Sequence, residues 1–177
     1  MTHSPFLTTA IDAARAAADV IRRYYQQNLA VTIKADKSPV TQADVETERV
    51  IRSLISERFP THGFYGEETG QSAIDAEYLW LVDPIDGTKA FVREYPFFST
   101  QIALMHRGRL IVGVSSAPVY GELAYAQLPH SMSGGSQTYG QCAMLGDREL
   151  HVSDIDAIES CAISAGNLKT LARGPQW

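Results

Sequence analysis

The stretch YLWLVDPIDGTKAF at residues 78–91 decides how the rest of this chain is interpreted. It begins with an apolar run that predicts a buried strand, and the run stops at Asp83. A second carboxylate follows at Asp86, with a proline, a glycine and a threonine close by. Two neighbouring carboxylates at the edge of a core repel each other and resist desolvation. A bound cation would resolve this conflict, so the pattern favours a strand that delivers acid groups to a metal.

The spacing of the two aspartates suits a hard metal ion. Pro84 fixes the backbone between them, so the carboxylates of Asp83 and Asp86 and the carbonyl of Ile85 can face one side with little loss of entropy on binding. Such oxygen atoms are the ligands that Mg²⁺ takes, with water and a substrate phosphate in the remaining positions. The histidines are scattered, and each is expected to be an ordinary surface or core residue, so no cluster of softer ligands competes.

Gly87 and Thr88 follow directly and are expected to open a helical turn that runs to Phe91. Backbone N–H groups at such a start, beside a glycine that lets the chain approach closely, can bind an anion. The sequence therefore predicts a phosphate-binding turn next to the metal ligands. Phosphatases of the haloacid dehalogenase type end a strand in Asp-x-Asp-x-Thr instead. In this chain two residues, Pro84 and Ile85, separate the acids, whereas that motif has one, so the second acid would not be placed for that chemistry.

The residues before this stretch predict two amphipathic helices. Ser4-Pro5 suits the N-cap and first position of a helix that runs to about Gln27, with apolar residues at helical spacing. A short strand is expected at residues 29–33, before a polar loop. Thr41 is the expected cap of a second helix that ends near Phe59, ahead of a proline.

The residues after this stretch predict consecutive hairpins. Strand-like runs at residues 99–105, 110–117, 123–127 and 141–145 are joined by short connections that contain glycine. Two helices followed by a meander of strands predict an α+β fold, with the two N-terminal helices packed on a large, mainly antiparallel sheet. A further strand is expected at residues 160–164.

Three other acid residues have structural explanations on pattern alone. Glu67 and Glu68 end a short apolar segment, and most such pairs lie in solvated loops. Asp44 lies in the first turn of the second helix, where it complements the helix dipole and forms a pattern like a capping box with Thr41. The residue pattern therefore favours structural roles for these acids, without excluding functional ones.

The composition narrows the class of protein. The chain has 177 residues, 45% of them hydrophobic, which suits one globular domain with a real core. The net charge of −5, with both signs interspersed, leaves no basic patch for a nucleic acid polymer or a membrane, and small partners are expected. No apolar run approaches the roughly 20 residues of a membrane span, and no signal-peptide pattern is present. With two cysteines, Cys142 and Cys161, a cytoplasmic chain with reduced thiols is favoured over a single disulfide.

Several of these motifs occur together in one known family. They are GEE at residues 66–68 and WLVDPIDGT at residues 80–88, with SPVTQAD at residues 38–44 as a further element. Residues 113–118, and Gly140 with Ala143, are similar to other parts of the same pattern. The combination resembles the inositol monophosphatase family of metal-dependent, lithium-sensitive phosphatases, over nearly the whole chain. The resemblance implies the first domain of the layered α/β/α sandwich shared with fructose-1,6-bisphosphatase.

For the metal site, the resemblance implies two or three Mg²⁺ ions. Glu67, Asp83 and the carbonyl of Ile85 would bind one ion, while Asp83 and Asp86 would bind a second. Such a pair of ions is suited to activating water and stabilising the leaving oxygen in phosphoryl transfer.

For catalysis, the resemblance implies that Glu67 and Thr88 orient and deprotonate the attacking water. Asp86, Gly87 and Thr88 would bind the phosphate of the substrate. Asp44 would support this network from outside, and that role is compatible with capping a helix.

One part of the family pattern is missing. The family carries a further metal-ligating aspartate, in a Trp-Asp-x-Ala-like motif of a C-terminal α/β half, and no aspartate of this sequence stands in that context. The resemblance therefore implies that residues 1–150 form an N-terminal metal- and phosphate-binding domain. Residues 151–177 would begin a C-terminal α/β domain that is mostly absent. By itself, such a chain is expected to bind metal weakly.

The activity implied is Mg²⁺-dependent hydrolysis of a small phosphorylated metabolite. Lys89 and Ala90 after Gly-Thr resemble the histidinol-phosphatase branch, which belongs to histidine biosynthesis, whereas inositol-phosphate specialists more often have Asn-Phe there. Gly-Thr-Lys also suits the 3′(2′),5′-bisphosphate nucleotidase branch, and Lys89 is equally compatible with a solvated residue. A truncated relative that binds phosphate without turnover is the alternative class. Members of the family are often dimers, so a homodimer is also implied.

Overall fold

Three α-helices and twelve strands make up the part of the chain that the structure describes, residues 3–27, 30–33, 39–131 and 138–164 of a computed structural model. In chain order they are α1 Pro5–Tyr24, β1 Val31–Ile33, β2 Pro39–Thr41, α2 Gln42–Arg58, β3 Gly63–Gly66, β4 Gln71–Ser72, β5 Tyr78–Asp86, α3 Thr88–Val92, β6 Ser99–His106, β7 Arg109–Ala117, β8 Glu122–Gln127, β9 His130–Ser131, β10 Thr138–Tyr139, β11 Cys142–Leu145 and β12 Arg148–Glu149. The predicted α+β class is confirmed.

Both long helices begin at the residues that the sequence predicts. The Ser4 hydroxyl accepts a hydrogen bond from the Leu7 N–H at 3.1 Å, with proline at the first helical position of α1. Thr41 and Asp44 form a capping box at the start of α2. Helix α1 ends at Tyr24, before the predicted Gln27, because Tyr25 already has an extended backbone conformation.

Eight strands form one sheet in the order β12-β11-β8-β7-β6-β5-β3-β4. Neighbouring strands are antiparallel, as the hairpin pattern predicts, except for β3 and β5, which run parallel. Strands β1 and β2 form a separate hairpin, and β9 pairs with β10. The parallel pair matters for the site, because it brings the carboxyl ends of β3 and β5 to the same edge of the sheet.

Helices α1 and α2 cover one face of this sheet. Along β5 the side chains alternate, and Trp80 and Val82 are buried in the same core cluster as residues of both helices. From the helices, Phe6, Ile51 and Ile55 complete that cluster. Burying an apolar side chain of this size contributes about 1.5–3 kcal/mol, so the helix–sheet contact supplies the main stabilisation of the domain.

The strand expected at residues 160–164 is absent. Residues Ile158–Ser160 form a short 3₁₀ turn, and residues 161–164 have no regular structure. All side chains at residues 151–164 are exposed, so this segment neither buries an apolar face nor pairs with a sheet edge, and a strand needs both. The expectations for residues 28–29, 34–38 and 165–177 lie outside the described residues.

The two cysteines are free, with Cys142 buried in β11 and Cys161 exposed. This agrees with the expectation of two reduced thiols. In the described part of the chain, no helix combines the length and the apolar composition that crossing a membrane requires.

Candidate metal and phosphate site

The predicted site lies where β5 passes into α3. The pairing of β5 with β6 is irregular between Asp83 and Asp86, so the chain bulges at this point. The buried Thr100 of β6 donates its hydroxyl hydrogen bond to the Pro84 carbonyl at 2.9 Å and holds the bulge in place. Without the bulge, alternation along a strand would place Asp83 and Asp86 on opposite faces of the sheet.

Gly87 connects the strand to the helix in a left-handed conformation, with φ of 99°. A Cβ atom at this position would lie 2.7 Å from the Phe97 carbonyl oxygen, so both the backbone conformation and the available space require glycine. Helix α3 then begins at Thr88 and runs to Val92, as the predicted helical turn requires.

Glu67 lies beside Asp83 because β3 is parallel to β5. Gly66, the last residue of β3, pairs with Val82, and the Glu67 N–H donates to the Val82 carbonyl at 3.3 Å. The next residue on each strand is therefore an acid. The side chains of Glu67 and Asp83 are hydrogen-bonded to each other.

The close acids change the protonation of the site. Burial, followed by the negative charges of Glu67 and Asp86, raises the pKa of Asp83 to about 7. The Asp83 carboxylate also accepts a hydrogen bond from the Ile85 N–H at 3.1 Å, which partly opposes the rise in pKa. The two carboxyl groups therefore lie together against their mutual repulsion.

Thr88 and Asp44 complete the other side of the site. The Thr88 hydroxyl lies 3.0 Å from the Ile85 carbonyl oxygen and 3.4 Å from Oδ1 of Asp44. Asp44 is 1% exposed, and its Oδ2 accepts hydrogen bonds from the Thr41 N–H at 2.8 Å and hydroxyl at 2.6 Å. Burial raises the pKa of Asp44, against the effect of these hydrogen bonds. Asp44 thus caps α2 and also faces the Thr88 hydroxyl.

One site residue was missed by the sequence analysis. Glu48 of α2 is fully buried, and its carboxylate accepts hydrogen bonds from the N–H groups of Glu68 at 2.8 Å and Thr69 at 2.6 Å. A signal existed in the sequence: Glu48 shares the inward helical face with Ile51 and Ile55, where a carboxylate needs a specific partner.

The donor set fits a hard divalent cation in its chemistry. Glu67 and Asp86 lie close enough to Asp83 for their charges to raise its pKa, and a cation held by these carboxylates would relieve the repulsion. Among the described residues, no group of three or more His, Cys, Asp or Glu side chains is placed to hold a metal ion as it stands. The site therefore provides ligands of the right kind, and Asp83 paired with Glu67 is its centre.

A groove of about 800 Å³ runs from these acids across the face of the sheet opposite the helices. Glu67 and Asp83 line one end. Small and apolar residues line much of the remaining sheet face, including Ala103, Gly113 and Ala126. The acids therefore border an open surface and are not sealed inside the core.

Comparisons with known proteins identify similar chains. The model of the inositol monophosphatase family matches residues 2–168. A histidinol-phosphatase of Chlorobaculum parvum is 37% identical over 125 residues, which cover 70% of this chain and 48% of that protein. An inositol monophosphatase of Mesembryanthemum crystallinum is 34% identical over 164 residues, 90% of this chain and 57% of that protein.

A solved structure agrees with these matches. The extragenic suppressor protein SuhB of Bartonella henselae aligns with a TM-score of 0.76 and 32% identity, over 86% of this chain and 56% of that chain. The described fold is therefore shared with proteins of this group. The chain spans about half the length of these relatives, at 48% to 57%.

Proposed function

Because the chain belongs to the inositol monophosphatase family, we propose that the full-length protein is a Mg²⁺-dependent phosphomonoesterase that acts on a small phosphorylated alcohol. The observation that carries the proposal is the juxtaposition of Glu67 and Asp83 at the ends of two parallel strands, with Asp86 nearby. The raised pKa of Asp83 supports it, because a strongly perturbed acid at the edge of a groove is a candidate for a functional site.

We assign the metal ligands as the family resemblance implies. Glu67, Asp83 and the Ile85 carbonyl would hold one ion, and Asp83 and Asp86 would hold a second. When bound, Mg²⁺ supplies a lowered pKa for coordinated water and positive charge against the phosphoryl oxygens. The Ile85 carbonyl oxygen accepts from Thr88 at 3.0 Å, and its remaining lone pair suits this arrangement.

The protein's own side chains would orient the attacking water and bind the substrate phosphate. Thr88, together with Glu67, would orient the attacking water. Asp44 lies 3.4 Å from the Thr88 hydroxyl and can accept its hydrogen bond in place of the Ile85 carbonyl, which frees that carbonyl for the ion and leaves the Thr88 oxygen as an acceptor for water. The substrate phosphate would lie against Asp86, Gly87 and Thr88, with charge repulsion at Asp86 relieved by the metal.

For the substrate we propose histidinol phosphate. Lys89 and Ala90 support this choice, together with the similarity to the Chlorobaculum histidinol-phosphatase. Lys89 is exposed in the first turn of α3, where a cation can meet a polar substrate. Inositol monophosphate is the alternative that the similarity to the Mesembryanthemum enzyme favours, and a 3′(2′),5′-bisphosphate nucleotide is a further one.

A substrate panel tests the proposal. The full-length protein is assayed with histidinol phosphate, inositol 1-phosphate, fructose 1,6-bisphosphate and 3′-phosphoadenosine 5′-phosphate, with Mg²⁺ and with chelator. We expect Mg²⁺-dependent phosphate release, with the highest kcat/KM for histidinol phosphate. Phosphate release from none of the four, or release that survives the chelator, would contradict the proposal. A higher kcat/KM for inositol 1-phosphate would change the substrate alone.

A charge-removing substitution tests the assignment of the second ion. Asp86→Asn is expected to lower kcat/KM by about 100-fold or more, because the second ion loses a charged ligand. Asp75→Asn is the matched control, since Asp75 is an exposed aspartate on the loop before β5. Turnover of Asp86→Asn close to that of the control would contradict the two-ion assignment.

A further inference from the structure

The loop that follows β3 is held by a buried carboxylate. Glu48 has no exposed surface, and burial of an ionised carboxylate is costly unless donors surround it. Its Oε2 accepts from the Glu68 N–H at 2.8 Å and its Oε1 from the Thr69 N–H at 2.6 Å; the Thr69 hydroxyl also donates to Oε1. These donors come from the two residues that directly follow Glu67.

A second charged residue of α2 holds the same loop, one helical turn after Glu48. Arg52 donates a hydrogen bond to the Gly70 carbonyl, and its guanidinium lies 4.4 Å above the Phe64 ring of β3. The Glu48 carboxylate therefore accepts hydrogen bonds from N–H groups of the loop, and the Arg52 guanidinium donates one to a carbonyl of the loop. Helix α2 thus fixes the loop by two interactions of opposite polarity.

The residue before Glu67 is also in contact with Glu48. A Cβ atom built on Gly66 would lie 2.2 Å from Oε1 of Glu48, so the end of β3 rests directly against the carboxylate. Glu67 is therefore flanked on both sides, by Gly66 in van der Waals contact with Glu48 and by Glu68 hydrogen-bonded to it. The position of the Glu67 backbone depends on where the Glu48 carboxylate lies.

We propose that Glu48 is a positioning residue, which holds the backbone on either side of Glu67 so that the Glu67 side chain meets Asp83 and a bound divalent cation. The inference rests on the proposed function, because the position of Glu67 affects activity only if Glu67 binds a metal ion. Glu48 itself does not touch substrate or metal. Its carboxylate accepts three hydrogen bonds from Glu68 and Thr69, and the residues that line the groove include Gly66 and Glu67 but not Glu48.

Three variants of the full-length protein test the proposal. Glu48→Gln replaces one acceptor oxygen by an NH₂ group, which faces a backbone N–H. Thr69→Val removes only the hydroxyl donor and leaves the buried carboxylate with its two N–H partners, so it remains informative where Glu48→Gln does not fold. Glu46→Gln is the matched control: Glu46 is on the same helix and binds Arg23 and Tyr24 of α1, away from the loop.

Two measurements are made on each variant. Amide hydrogen exchange reports the protection of the Glu68 and Thr69 N–H groups, and isothermal titration with Mg²⁺ alone reports metal affinity. For Glu48→Gln we expect faster exchange at both amides and a Mg²⁺ affinity lower by about 10- to 100-fold, the usual effect of losing a group that orients a ligand. For Thr69→Val we expect a Mg²⁺ affinity that is lower by about fivefold. Glu46→Gln should leave both quantities unchanged.

The outcomes distinguish a failure of the proposed function from a failure of the proposed role of Glu48. If wild-type protein does not bind Mg²⁺, the proposed function fails, and the exchange data still decide whether Glu48 anchors the loop. If Glu48→Gln, or Thr69→Val in its place, exchanges faster but binds Mg²⁺ as wild type does, Glu48 anchors the loop without positioning Glu67, and the inference is overturned. Unchanged exchange at Glu68 and Thr69 also overturns it. A loss of affinity in Glu46→Gln equal to that in Glu48→Gln would show a general effect of helix stability and would overturn it as well.

Discussion

At the scale of single residues, the acids of this chain are stabilised in two different ways. Asp44 and Glu48 are buried carboxylates that backbone N–H groups and hydroxyls surround. Burial raises the pKa of both Asp44 and Asp83, but Asp83 also meets another carboxyl group, that of Glu67, whose charge raises the pKa of Asp83 as well. Donors lower the cost of burying an ionised carboxylate, whereas a neighbouring carboxylate increases it. The first arrangement stabilises local structure, and the second is the one that we propose as a binding site for a cation.

The left-handed glycine between strand and helix makes a residue-scale prediction. Gly87→Ala should lower the free energy of unfolding by about 2 kcal/mol or more, because φ of 99° strains an alanine and its Cβ would lie 2.7 Å from the Phe97 carbonyl oxygen. Urea denaturation measures the loss. Gly108→Ala is the control, since Gly108 has φ of 80° in open space, and it should cost only about 1 kcal/mol. Equal costs would show that the contact with Phe97 is unimportant.

At the scale of elements, β5 carries the site because it is both a central strand and a bulged one. Strand β5 lies between β3 and β6, so its backbone is fixed from both sides. The bulge between Asp83 and Asp86 allows both acids, and the Ile85 carbonyl, to contribute to one site. The bulge frees the Pro84 carbonyl from the regular ladder, and Thr100 supplies the missing donor.

Removal of that donor is the element-scale prediction. Thr100→Val keeps the shape of the side chain but leaves the Pro84 carbonyl without its buried hydroxyl donor, so the free energy of unfolding should fall by about 1–3 kcal/mol. Thr47→Val is the control, because the buried Thr47 hydroxyl has no hydrogen-bond partner among the residues that the structure describes, and the same substitution there should be neutral or stabilising. Thermal and urea unfolding of the two variants give the comparison. A neutral Thr100→Val would mean that the bulge does not depend on this bond.

At the scale of the whole molecule, the two faces of the sheet have different roles. One face is covered by α1 and α2 and forms the core, which includes a stack of aromatic rings. In that stack His62 lies between Phe59 and Tyr78, with ring centroids 4.7 Å from each, and its Nδ1 accepts a hydrogen bond from the Trp80 indole at 3.1 Å. The other face carries the groove that begins at Glu67 and Asp83. The stability of the domain thus depends on the face that the helices cover, and the proposed chemistry takes place at the edge of the face that carries the groove.

The stacked histidine predicts how stability depends on pH. Burial lowers the pKa of His62 to about 4, partly opposed by Glu77, against about 6.5 in the unfolded chain. The unfolded chain therefore binds the proton more readily, so the contribution is complete above pH 6.5 and is lost as the pH falls towards 4. At pH 5 we expect a loss on the order of 1 kcal/mol relative to pH 7, after allowance for solvent screening at a half-buried ring.

The measurement is urea denaturation at pH 7 and pH 5, for wild type and for His62→Gln. The variant lowers stability at both values but should remove the part of the pH dependence that comes from His62. The comparison is needed because the raised pKa of Asp83 has the opposite effect: its contribution to the free energy of unfolding increases as the pH falls. Identical pH dependence in the two proteins would contradict the assignment to His62.

The elements could be predicted where local chemistry decides them. The caps at Ser4 and Thr41 were predicted from residue type, since a hydroxyl or carboxylate a few residues from an N–H needs no distant partner. The antiparallel meander was predicted from hairpin connections of a few residues. The strand expected at residues 160–164 was wrong because local apolar pattern is insufficient for a strand, which also needs a neighbouring edge.

For the site, the sequence by itself determined the cluster at Asp83, Ile85, Asp86 and Thr88, because these residues lie within one strand, one bulge and one turn. Only the tertiary structure decided the rest. The parallel pairing of β3 with β5 brings Glu67 to Asp83, and the packing of α2 brings Asp44 to Thr88 and buries Glu48 beneath the loop. The physical reason is that the protonation and partners of a carboxylate depend on the charges and donors within a few ångströms. Strand register and helix packing place those groups there from distant parts of the chain.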